Sequence, residues 1–104
     1  MKIPKSFQLH GTTYEVSCVS EKDWEGEADE LGYFHPQRRT ITIRAGDPQI
    51  MEHTYCHELV HAILAHMGED KLTRNEKFVD MFGGLIHQAM TSAKCQQKHR
   101  MTYS

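Results

Sequence analysis

The fold is decided by residues 47–68, which read DPQIMEHTYCHELVHAILAHMG. Asp47 followed by Pro48 is typical of a helix N-cap with proline at the first helical position, and Gly68 is typical of the residue just past a helix end. No other proline or glycine interrupts the stretch. The sequence therefore predicts one helix of about 20 residues.

This helix contains a His-Glu-x-x-His motif, His57-Glu58-Leu59-Val60-His61. At about 3.6 residues per turn, the two histidines lie about 40° apart on one face, so both imidazoles can reach one metal ion. Glu58 lies roughly 100° from His57, where its carboxylate can take a proton from activated water without joining the ligands. A catalytic zinc ion needs a third protein ligand from elsewhere in the chain.

A second helix is predicted over residues 73–93, because residues 73–76, TRNE, resemble a capping box. This helix offers Glu76 as the third metal ligand. Asp80, one turn later, can accept a hydrogen bond from the far nitrogen of a ligand histidine and so orient its ring. Gly83 continues the same stripe and would let the two helices approach each other closely.

The residues alone leave two other assignments open. In the first, Glu76 is only the acidic partner of a capping box with Thr73. In the second, His87 replaces Glu76 as the third ligand. Cys56 adjoins the motif but points about 100° away from His57, which favours a buried structural thiol over a ligand.

Two β-hairpins are predicted in residues 1–46. Residues 5–19 alternate apolar and polar side chains on either side of His10 and the glycine that follows it, which predicts a hairpin turn there. Residues 33–44 contain two strand-like runs around a Pro-Gln-Arg-Arg turn, and the second run is Thr40–Arg44. The sequence predicts an α+β fold, in which an N-terminal antiparallel sheet of two hairpins packs on two C-terminal helices.

Length and composition limit the function classes. The chain has 104 residues and a net charge of −2, which predicts a single domain over residues 1–104, with a polar tail at 94–104. Three cysteines without a Cys-x-x-Cys pair argue against a disulfide framework or a zinc ribbon. Without a strongly basic surface or a long apolar run, we expect no nucleic-acid partner, no membrane association and a cytoplasmic location.

The spacing of the chemical groups resembles a known family pattern. The motif at residues 57–61, followed by NEKFVD at residues 75–80, resembles the gluzincins, in which His-Glu-x-x-His precedes Asn-Glu-x-x-x-Asp, as in thermolysin-like peptidases. The short chain resembles the minigluzincins and the compact metallopeptidases of the ImmA/IrrE group, which occur in phages and mobile elements. The resemblance covers residues 47–92.

This resemblance implies a zinc-dependent metallopeptidase acting on few protein substrates. It makes Glu58 the general base, Asp80 the residue that orients a ligand histidine, and three residues the zinc ligands: His57, His61 and Glu76. In those families an edge strand of the sheet binds extended substrate by β-augmentation, and Thr40–Arg44 is the strand expected to do so here.

Larger gluzincins also carry a His or Tyr on a later subdomain that stabilises the oxyanion, and this chain has no such subdomain. Four residues are open as substitutes: Tyr33, Tyr55, His66 and His87. The alternative function is a catalytically silent, zinc-stabilised binding or regulatory module. That alternative predicts a fourth protein ligand in place of water, such as Cys56 or the tail residue His99.

Overall fold

A computed structural model describes residues 1–96 of the protein. Within these residues, strands and α-helices follow each other in the order β1 (Ser6–Leu9), β2 (Thr12–Val19), β3 (Gly32–His35), β4 (Thr40–Arg44), α1 (Pro48–Met67), α2 (Asp70–Thr73) and α3 (Glu76–Ser92). The predicted α+β class is confirmed. None of the described helices combines the length and the apolar character needed to cross a membrane.

Both predicted hairpins are present, β1 with β2 and β3 with β4. The first turns at His10 and Gly11, whose φ angles of 49° and 79° are both positive, as a two-residue hairpin turn of the right twist requires. The hairpins join through a parallel pairing of β2 with β4. The expectation of a wholly antiparallel sheet is therefore wrong, and the sheet is mixed.

The strand order is β1-β2-β4-β3, which corrects the predicted edge strand. Thr40–Arg44 is β4, and it lies inside the sheet between β2 and β3. Its Ile41 and Ile43 are fully buried, and a strand with this much apolar surface to cover is best placed in the interior of a sheet. The short β3 is the open edge on that side.

Helix α1 has the predicted boundaries. The Asp47 side chain accepts a hydrogen bond from the Ile50 N–H at 3.2 Å, and Gly68 ends the helix in the left-handed conformation at φ 77°. The helix has apolar residues on two faces because it is covered on two sides. Tyr55, Cys56 and Ala62 belong to the core that includes Ile41 and Ile43 of the sheet, whereas Val60 and Leu64 pack with Val79 of α3.

The second long helix differs from the prediction at its start. Asn75, not Thr73, is the N-cap of α3, since its side chain accepts a hydrogen bond from the Phe78 N–H at 3.1 Å. Residues 70–73 form the separate short helix α2. The expectation that both long helices pack on the sheet is also wrong, because α1 lies on the sheet and α3 packs mainly on α1.

Candidate metal centre

Three of the predicted site residues converge at the junction of α1 and α3. The Nε2 atom of His57 lies 3.2 Å from one carboxylate oxygen of Glu76, and Nε2 of His61 lies 3.3 Å from the other. One ligand atom from each of the three residues lies within 4.8 Å of the others. Two imidazole nitrogens and one carboxylate are a donor set that suits a divalent transition metal, and three protein ligands leave a fourth position open.

The other nitrogen of each imidazole is held in place by a neighbouring side chain. Nδ1 of His57 lies 3.1 Å from Oδ1 of Asp80, and Nδ1 of His61 lies 2.9 Å from Oγ1 of Thr73. Such bonds fix the ring orientation and leave Nε2 free to bind a metal. The arrangement fits a metal ion because both free nitrogens then face the same carboxylate.

Gly83 lets α3 approach α1 at the level of the motif. A Cβ atom at this position would lie 2.9 Å from Cα of His57, closer than real Cβ atoms approach, and 3.0 Å from its backbone N. The two helices therefore touch backbone to backbone here. This contact places Glu76 and Asp80, both on α3, within reach of the motif histidines on α1.

Glu58 is buried beside the three candidate ligands, with 7% of its surface exposed. Burial raises the pKa of this carboxyl from 4.5 to about 7 in the metal-free protein, with the nearby His57 acting in the opposite direction and Glu76 raising it further. Burial also lowers the pKa of His61, against the influence of Glu76, which favours the neutral imidazole that a metal requires.

A cleft of about 510 Å³ opens above the three ligands and is lined by both helices and by β3, including Glu58, Gly32, Tyr33 and Phe34. A second cavity of about 250 Å³ continues from it and shares Gly32, His57 and Glu58 with the cleft. The carbonyl of Leu31 accepts from the Arg44 N–H at 2.9 Å. Because antiparallel pairs alternate, the backbone polar groups of Gly32 and Phe34 point away from β4, towards the open edge.

The four residues considered for oxyanion stabilisation lie in different parts of the structure. Tyr33 belongs to the strand that lines the cleft, but its ring packs against Trp24, with ring centres 5.6 Å apart, on the face of the sheet opposite α1. Tyr55 is buried in the core, and His66 contacts Tyr14 and the β1–β2 turn. His87 lies 3.0 Å from Glu52 and is not part of the metal-ligand group, so it is not the third ligand.

Within residues 1–96 the structure also distinguishes the alternative roles of Cys56 and Glu76. Cys56 is fully buried, its Sγ atom lies 4.0 Å from Sδ of Met1, and it does not join the ligand group. The capping-box role of Glu76 with Thr73 fails because Thr73 contacts His61 instead. His99 and most of the predicted tail lie outside the described residues.

Sequence reasoning missed two features of the site, Thr73 and the edge strand β3. The signal for the first was Asn75, which is at least as good an N-cap as threonine and leaves the Thr73 hydroxyl free for another partner. The signal for the second was the short length of residues 32–35 between an acidic loop and a proline, since short strands are common at sheet edges.

Comparisons with known proteins found no matching family model, no similar curated protein and no similar solved structure.

Proposed function

We propose that the protein is a zinc-dependent peptidase that hydrolyses peptide bonds with activated water. The observation that carries the proposal is the position of Glu58, whose buried carboxylate lines the same cleft as the three converging ligands. A metal site that only stabilised a fold would not need a further, non-ligating carboxylate beside its ligands.

In this proposal His57, His61 and Glu76 hold the zinc ion. The bound ion supplies a Lewis acid for the substrate carbonyl and makes water nucleophilic near neutral pH. Glu58 takes the proton from the attacking water and passes it to the leaving amine. Burial raises the pKa of Glu58 in the metal-free protein, and a cation bound beside it would favour the ionised carboxylate that accepts the proton.

The proposed substrate is an extended polypeptide that adds a strand to β3. The outward-facing backbone groups of Gly32 and Phe34 offer two donors and two acceptors along the cleft. Glu58 lines both the cleft and the adjoining 250 Å³ cavity, so a strand bound there would pass this carboxylate.

The test compares the zinc-loaded protein with its Glu58→Gln variant on a peptide library, read by mass spectrometry. We expect the variant to lose cleavage while retaining the zinc ion at the cleft. Glu69→Gln, which changes an exposed glutamate beyond the end of α1, is the matched control and should cleave like the original chain.

Two outcomes would contradict the proposal. Cleavage by Glu58→Gln at the original rate would remove Glu58 from the role of general base. A zinc-loaded protein that cleaves no peptide in the library would favour the silent, zinc-stabilised module.

A further inference from the structure

A second pair of histidines meets on the surface, away from the cleft. His10 lies in the β1–β2 turn and His66 lies near the end of α1, and Nδ1 of His10 is 3.1 Å from Nε2 of His66. The two ring centres are 5.1 Å apart. His66 follows His61 by five residues, which places it about 140° further round the helix, and neither His10 nor His66 lines the cleft.

We propose that His10 and His66 form a second site for a divalent transition metal such as zinc, nickel or copper. Two nitrogens that bind one ion at about 2.0–2.1 Å in tetrahedral or square-planar geometry lie about 2.9–3.4 Å apart. The observed separation of 3.1 Å, which a hydrogen bond between the two nitrogens spans in the metal-free protein, falls within this range, so an ion can replace the shared proton once both lone pairs turn towards it. Imidazole is a ligand type that all three metals accept.

Tyr14 contacts one of the two proposed ligands, His66, and orients its ring. Its hydroxyl lies 2.8 Å from Nδ1 of His66, and its ring is buried and stacked on Phe7 with ring centres 5.3 Å apart. When Nδ1–H of His66 donates to this hydroxyl, Nε2 presents its lone pair to the metal. A partner on the far nitrogen is the same device that holds the histidines of the cleft.

The turn fixes the other ligand. His10 adopts a positive φ of 49°, which is uncommon for a residue with a side chain, and the paired strands on both sides hold the turn in place. The hairpin therefore brings an imidazole to the last turn of α1 without any segment having to move. A metal bound there would join the sheet to the same helix that carries the His-Glu-x-x-His motif.

The test is a zinc titration of the metal-free protein. Calorimetry and nitrogen NMR of the histidine side chains monitor the binding. We expect two binding events, a tight one at the cleft and a weaker one that shifts Nδ1 of His10 and Nε2 of His66. His10→Asn, which tolerates the positive φ, and His66→Gln, which keeps a partner for Tyr14, should each abolish the second event. Tyr14→Phe should weaken it by about tenfold.

His87→Gln is the control, because His87 contacts Glu52 and belongs to neither histidine pair, so this change should leave both events unchanged. The proposal is overturned if the side-chain signals of His10 and His66 do not change as the second equivalent of zinc is added. It is also overturned if His10→Asn and His66→Gln titrate like the original chain. The first event at the cleft is read separately, so its outcome does not affect this result.

Discussion

The two histidine pairs differ in what surrounds them. His57 and His61 face a carboxylate, Glu76, and a buried general-base candidate, Glu58, at the bottom of a cleft. The surface pair of His10 and His66 has a tyrosine hydroxyl as its neighbour. In our proposals both pairs bind a metal ion, and only the first acts on a substrate. Under these proposals the histidines account for metal binding, and the carboxylates account for the difference in chemistry.

The pairs also differ in how the chain assembles them. The first pair is separated by four residues on one helix, and its rings are brought together by helix geometry alone. The second pair is separated by 56 residues and meets only because the β1–β2 hairpin packs near the end of α1. Local unfolding of the hairpin would therefore remove the second pair and leave the first intact.

The largest expected effect comes from Glu76→Ala, which removes the charged ligand from the cleft. We expect the zinc affinity of the cleft to fall by more than about a hundredfold, since loss of an indirect partner of a ligand already costs about 10–100-fold. Competition with a chromophoric chelator measures this. Glu69→Ala is the control, and the surface pair should keep its own affinity. Unchanged tight binding in Glu76→Ala would show that the metal uses other ligands.

The next effect concerns Glu58 in the metal-free protein. Its folded-state pKa of about 7 lies above the ordinary value of 4.5, so its contribution to stability is present below pH 4.5 and is lost as the pH rises through 7. Glu58→Gln removes this loss and should raise the free energy of unfolding at pH 8 by about 2–3 kcal/mol, with little change at pH 4.5.

Urea unfolding in the presence of a chelator measures the stability of both proteins. An equal gain at both pH values would contradict the assignment of the effect to a buried carboxylate. With excess zinc at pH 8, the original protein should be more stable than Glu58→Gln, because a cation beside Glu58 favours its ionised form.

A third prediction compares the two adjacent glycines of α3. Gly83→Ala places a Cβ against the backbone of His57, whereas the nearest neighbour of a Cβ at Gly84 is the His53 ring at 3.2 Å, a side chain that can move. Both changes gain the same helix propensity, so their difference isolates the contact between the helices. We expect Gly83→Ala to be less stable than Gly84→Ala by about 1–3 kcal/mol and to bind zinc more weakly. Thermal unfolding measures the stability of both variants. Equal stability together with equal zinc affinity would contradict the close approach of α3 to α1.

The smallest effect is expected for the residues that orient the cleft histidines. Asp80→Ala and Thr73→Val should each weaken zinc binding by about tenfold, close to the effect of Tyr14→Phe on the surface pair. The same chelator competition measures all three. An effect of Thr73→Val as large as that of Glu76→Ala would mean that Thr73 does more than orient His61.

The sequence predicted what depends on neighbours along the chain. Asp47 and Gly68 define α1 because caps act on the helix they flank, and Glu76 and Asp80 are one turn apart on α3. The sequence did not predict features that depend on contacts between segments far apart in the chain. The parallel pairing of β2 with β4, which moves Thr40–Arg44 from the edge to the interior, depends on contacts between hairpins and leaves no local pattern.

Thr73 illustrates the same limit at the level of one side chain. Its hydroxyl could cap a helix or contact His61, and the choice was made by Asn75, which took the cap, and by the packing of α3 on α1. The contact of His10 with His66 was equally invisible in the sequence, because it depends on where the hairpin turn meets α1.

The most direct test of the central claim is the coordination shell of zinc in a crystal structure of the zinc-loaded protein. The account predicts one ion bound by Nε2 of His57, Nε2 of His61 and the Glu76 carboxylate, with a water molecule in the fourth position facing Glu58. A zinc ion with four protein ligands, or one that leaves Glu76 unbound, would contradict it.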